Sequence, residues 1–252
     1  MNLGSIQKLV PVGRIFFGIA LIVFGVQHFV HGNFVTRVIL SWPAWIPGRL
    51  FWVYLVGAWL VATGVAIVSG TAARTAALLL GGLALLSFLL LSLPLAAREM
   101  AWGGMWTSAL KALTLSGGAF VVAGLQDPGR GWLVALGRFC LAFFMVFCGI
   151  QHFLWHDFVA RLVPPWMPPG PLFWTYFAGI ALIAGGIGLI FRKTATLAAA
   201  LSGMMIFSWV FLVHVRMMVL DPVPNETTAT FEALAFSGIA FMLVGERHGK
   251  RP

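Results

Sequence analysis

Charge is what this sequence has least of. Only 9% of its 252 residues are Asp, Glu, Lys or Arg, where a soluble domain carries about 25%. So few charged side chains cannot cover a water-exposed surface, which excludes an ordinary soluble globule. Acids are rarer than bases, seven against 16. Cysteine occurs twice, at Cys140 and Cys148 in one apolar run. On a helix that spacing is a rise of roughly 12 Å, whereas a disulfide needs Cα atoms within about 7 Å. There is no Cys-x-x-Cys pair, so thiol redox chemistry by the chain itself is disfavoured. Flavin, nucleotide and iron–sulfur signatures are missing too. If electrons pass, their carrier comes from a partner or a ligand.

What the chain has in quantity is apolar surface. Sixty percent of the residues are apolar, and 22 Phe and 11 Trp fit aromatic belts at two membrane interfaces. Mean hydropathy is +0.96. Eight apolar runs lie near the roughly 20 residues needed to cross hydrocarbon, at about 12–30, 51–69, 73–96, 105–124, 132–154, 172–191, 194–219 and 229–245. They are long, rich in Ala, Leu and Gly, and do not alternate, which argues against strands. Lys8 and Arg14 precede the first run, but no small-residue cleavage site follows, so this run is expected to be retained as a span.

The formal charge is +9. The bases sit one or two at a time in short loops and build no basic face, so nucleic-acid binding is not expected. Contact with a lipid bilayer and its anionic headgroups is. One set of loops carries Lys8, Arg14, Arg74, Arg130, Arg138, Arg192, Lys193, Arg247, Lys250 and Arg251. The other carries fewer bases, Arg37, Arg49, Arg98, Arg161 and Arg216, and most of the acids. This asymmetry predicts a multi-pass protein with both termini in the cytoplasm.

The chain also repeats itself. Gly25-Val26-Gln27-His28-Phe29 followed by Phe51-Trp52-Val53-Tyr54-Leu55-Val56-Gly57 returns as Gly149-Ile150-Gln151-His152-Phe153 followed by Phe173-Trp174-Thr175-Tyr176-Phe177-Ala178-Gly179. Gly13-Arg14 pairs with Gly137-Arg138, and Ser116-Gly117 with Ser237-Gly238. A Pro/Trp turn separates the motifs in each copy, and the only two tyrosines fall at matching places. Such duplication fixes architecture. The expectation is an all-α integral membrane protein whose eight transmembrane helices form two parallel-repeat four-helix bundles side by side. The first repeat is 1–124, the linker 125–131 and the second repeat 132–252.

Polar residues inside the spans are candidate functional residues. With Arg14 at the inner interface, Gln27 and His28 lie about 20 Å further along the helix, and Tyr54 and Lys111 reach a similar depth from the outer side. The second copy repeats the layer with Gln151, His152 and Tyr176; Glu232 takes the place of Lys111, and His214 is added. In hydrocarbon these groups must satisfy one another or a ligand bearing carbonyl or hydroxyl groups. Such a set suits a quinone-like head group, with Trp45, Trp52, Trp166 and Trp174 as flat walls. The same residues have a structural reading: histidines pinning neighbouring helices, Lys111 snorkelling to the interface, Tyr and Trp anchoring the belts. His31 and His156 have one-face spacing to the intramembrane histidines but too few companions for a metal site, so no metal is expected.

Each half resembles the DoxX family of small four-helix membrane proteins. The likeness rests on Gly-Arg opening the first helix, Gly-x-Gln-His-Phe at its end, the Pro/Trp loop, Phe-Trp-x-Tyr-x-x-Gly opening the second, and Lys111 with Leu115-Ser116-Gly117-Gly118-Ala119 in the fourth. The chain departs from that pattern in being a tandem pair and in carrying Glu232 where the lysine would recur. The resemblance implies a bacterial cytoplasmic membrane protein. It raises the expectation of quinone-linked redox work, with a quinone as ligand and a redox protein as partner. A non-enzymatic scaffold and a carrier for a small or lipid-like solute are the alternatives.

Overall fold

The computed structural model describes residues 6–35, 46–98 and 103–246. Trp45, the Pro43-Ala44 turn, Arg37 and Glu99, as well as Arg247, Lys250 and Arg251, lie outside the described residues. Those described form helices α1 (Leu9–His31), α2 (Arg49–Ser69), α3 (Ala73–Ala96), α4 (Gly104–Leu125), α5 (Gly131–Leu154), α6 (His156–Leu162), α7 (Pro171–Ile190), α8 (Ala195–Leu220) and α9 (Pro224–Leu243). No strand occurs among them.

Seven of these, α1 to α5, α7 and α8, are long and apolar enough to cross a bilayer. The helix least exposed to lipid needs apolar residues least. Thus α4 has the lowest mean hydropathy of the seven, 1.5, and the most buried span, 78%. Helix α9 is more polar still and is buried over most of its length. It also starts earlier than its apolar run suggests. Pro224 occupies the first turn, where its missing N–H costs nothing, and Thr228 and Thr230 are buried. The interfacial helix α6 and one π-helical stretch in each of α3 (Phe88–Ser92) and α8 (Val210–Val215) leave no mark in the apolar pattern. Gly32 and Gly70 end α1 and α2 in the left-handed conformation, at φ 56° and 83°, the usual glycine stop.

The repeated motifs mark where helices touch. Helices α1 and α2 cross where Gly25 meets Gly57: a Cβ added at Gly57 would lie 3.0 Å from the Gly25 carbonyl oxygen. Helices α5 and α7 cross at Gly149 and Gly179, with a corresponding distance of 3.2 Å. Beside each crossing the motif Phe stacks on the motif Tyr, Phe29 on Tyr54 and Phe153 on Tyr176, both with centroids 5.6 Å apart.

The halves are interleaved, which differs from two bundles set side by side. Helix α1 packs mainly on α2 and α9, and α5 mainly on α7 and α4. Each half thus lends its first helix to the last helix of the other. The reason lies in the Gly-Arg and Ser-Gly motifs. Gly13 faces Gly238, and Gly137 faces Gly117, with backbone against backbone. The adjoining serines tie each last helix to its third: Ser116 donates to the Gly81 carbonyl at 2.7 Å, and Ser237 to the Gly203 carbonyl at 2.9 Å. At the base-rich end Asp127 binds Arg74 at 2.9 Å and Arg130 at 3.1 Å, so the two connections meet on one face.

Candidate functional site

The sequence placed the polar side chains in one layer per half. The structure uses four of the nine, Gln27, Gln151, Lys111 and Glu232, between the halves. Gln27, at the far end of α1, donates to the Pro224 carbonyl at 3.2 Å and accepts from the Thr228 hydroxyl at 3.2 Å. Gln151, at the same place on α5, donates to the Gly103 carbonyl at 3.4 Å and accepts from the Thr107 hydroxyl at 3.0 Å. In each case a glutamine from one half ties the first turn of the other half's last helix. Thr107 and Thr228 were not singled out from sequence. They stand in the same frame as Lys111 and Glu232, and as Ser116 and Ser237, and that frame would have found them.

One turn further along, the two last helices run side by side. Lys111 Nζ of α4 lies 2.5 Å from Glu232 Oε2 of α9. Glu232 is 2% exposed and the Lys111 side chain 17%. Lys111 therefore does not snorkel to the interface: an anion stands within reach, and pairing is better than half-burial alone. Glu232 Oε1 is buried without a hydrogen bond among the described residues. The π-helical stretch of α3 packs on α4, and that of α8, which contains the partly buried His214, packs on α9.

Both motif histidines bond within their own helices. His28 Nδ1 lies 2.7 Å from the Phe24 carbonyl and His152 Nδ1 2.7 Å from the Cys148 carbonyl. A carbonyl only accepts, so Nδ1 carries the proton and, in a neutral ring, Nε2 is left as an acceptor. His28 is fully buried, its ring meets the edge of Phe34, and Nε2 has no hydrogen-bond partner among the described residues. His152 is only partly buried. A cavity of about 190 Å³ opens nearby, lined by Gln27, His31, Asn33, Phe34, Pro224 and Thr228, among others. Ligand pockets usually hold about 300–1,000 Å³.

Of the aromatic residues expected as walls or ligand contacts, none of the described ones, Trp52, Trp166, Trp174, Tyr54 and Tyr176, lines that cavity. Trp52 is 36% exposed and Trp166 68%, and Tyr54 and Tyr176 are exposed at 42% and 37%. Trp174 donates to the Pro168 carbonyl at 2.9 Å, closing the Pro/Trp turn. These positions suit belt anchors, and the expected flat walls are not assembled by the described residues. At the opposite end Arg138 sits over Phe139, 5.3 Å from its centroid, with Nε 3.3 Å from Glu246 Oε2.

The fold and the polar interior define a multi-pass, all-helical membrane protein in contact with lipid. Residues 141–239, from within α5 to within α9, match a family described as a domain of unknown function (DUF8561). No curated protein and no solved structure matches the chain.

The glutamine ties predict a modest effect. Gln27→Leu removes two inter-helix bonds, but the Thr228 hydroxyl keeps the Pro224 carbonyl, 3.0 Å away, as acceptor. At the roughly 0.6 kcal/mol typical of such bonds in membranes, the loss is about 1 kcal/mol. Thermal unfolding in detergent should fall by about 2–4 °C, and by the sum of both losses in Gln27→Leu/Gln151→Leu.

Proposed function

We propose that the chain is a DoxX-like tandem protein of eight membrane-spanning helices in a bacterial inner membrane, with both termini in the cytoplasm. In this reading it is a non-catalytic membrane subunit, an assembly platform for a redox partner that brings its own electron carrier. One observation carries it: four of the intramembrane polar side chains that the sequence offers as ligands are engaged in contacts between the two halves. Gln27, Gln151, Lys111 and Glu232 all hold helices together, and the neighbouring cavity is smaller than a usual ligand pocket. The eight-helix count adds α9 to the seven apolar spans, because the motifs of the first half recur in order in the second. The orientation rests on the distribution of basic loops.

The test is purification of the chain at native expression level in mild detergent. The expected result is a complex heavier than the chain, with one partner at fixed ratio and substoichiometric quinone. A solitary chain carrying one quinone per molecule overturns the reading.

A second reading has its own observation. The buried His28 Nε2 is an acceptor without a partner among the described residues. It suits a hydroxyl donor such as a quinol better than a quinone carbonyl. Quinol retained by the wild-type chain and lost in His28→Phe would favour this reading.

A further inference from the structure

The two seams between the halves are near copies of each other. Gly13 on Gly238 is matched by Gly137 on Gly117, and Gln27 on Thr228 by Gln151 on Thr107. These contacts therefore say nothing about which half pairs with which. The first half of one molecule, set against the first half of another, would find the same glycines and the same threonine. Where the last helices meet, the halves differ in charge. There, equivalent positions face each other, and the chain carries Lys111 on one side and Glu232 on the other, 2.5 Å apart and shielded from solvent.

We propose that Lys111 and Glu232 are the specificity-determining pair for association of the halves, so that first half joins second half and pairing of like halves from two copies is rejected. The inference rests on the tandem-repeat part of the proposed function. Correct pairing buries a neutral pair. Pairing of two first halves would bury two lysines together, and of two second halves two carboxylates, with no counter-charge. Buried ion pairs add little net stability but are well suited to fixing register and partner choice. Rejection of the wrong partner through an introduced repulsion is the general route to specificity among similar surfaces. The device matters here because the glycine and glutamine contacts of the two seams are alike.

The test uses the full chain with charge reversals. Lys111→Glu and Glu232→Lys each bury like charges. Each is expected to lower the unfolding temperature by about 10 °C, the shift that a broken buried pair of about 3–5 kcal/mol gives a chain of this size. The double exchange Lys111→Glu/Glu232→Lys is expected to recover most of that loss and to run as a monomer. Co-expressed under different tags, the two single variants are expected to co-purify as a one-to-one dimer, since each supplies the charge that the other lacks. Two wild-type chains should not. A double exchange no more stable than the singles, or single variants that remain separate monomers when co-expressed, overturns the proposal. Neither readout depends on a redox partner, so failure of the assembly reading leaves this result standing.

Discussion

Gly238→Val is expected to prevent accumulation of the folded protein. A Cβ at Gly238 would lie 2.6 Å from the Gly13 carbonyl oxygen and 3.0 Å from the Phe17 amide nitrogen. Both are backbone atoms, so no side chain can turn aside, and α1 must part from α9. Overpacking of this kind costs about 1–3 kcal/mol where side chains can yield, and more where only a helix can. Gly238→Ala, with one methyl, should still fold but melt several degrees lower. Gly82→Ala supplies the control. Gly82 is a helical glycine on the exposed side of α3 with open space around its Cβ position. There alanine should stabilise by about 0.5–1 kcal/mol through helix propensity alone. Thermal unfolding of the two alanine variants beside wild type in one detergent, with the yield of Gly238→Val, separates the seam from the propensity. Equal behaviour of Gly238→Ala and Gly82→Ala would show that close approach is not what holds the halves together.

Lys111→Met carries the second large effect. It leaves Glu232, 2% exposed, without its counter-charge. Removing one partner of a buried pair costs about 3–5 kcal/mol, because the remaining ion keeps its desolvation penalty. The unfolding temperature should fall by about 10 °C. In Lys111→Met/Glu232→Leu no charge is stranded, and most of the stability should return. The size of that recovery separates a stranded carboxylate from lost packing around the lysine stem. If the single variant melts like wild type, the ion pair is not formed in the membrane.

The spans, the motifs and their doubling were legible in the sequence, because apolar length and repeated short motifs are local signals. The helix contacts were not. A membrane helix that is apolar all round gives no face to read, and α1 carries the same glycine signal whether it packs within its own half or against the other. Lys111 and Glu232 were legible as equivalents in frame, but equivalence does not say that two residues touch. Only a pseudo-two-fold arrangement of the last helices does that. Gln27 and Gln151 read as ligand groups because their partners, the donating Thr228 and Thr107 hydroxyls and two accepting backbone carbonyls, sit in helix turns that hydropathy assigns to the loop before span 8 or to the very start of span 4. The Trp residues misled for a physical reason as well: flat rings serve equally at a binding wall and at a lipid headgroup, and the exposure of Trp166 speaks for the second.

The exchange of first helices has a mechanical result. A carrier that alternates its opening by swinging one repeat against the other needs a plane along which the repeats can slip. Here that plane is crossed twice by helices in backbone contact, at Gly13 with Gly238 and at Gly117 with Gly137. Swinging would have to open both seams and separate an ion pair in the same stroke. Motion that keeps this clasp closed falls to segments outside it, and among the described residues the π-helical stretches of α3 and α8 are places in the spans where the helical hydrogen-bond ladder departs from the α-helical pattern.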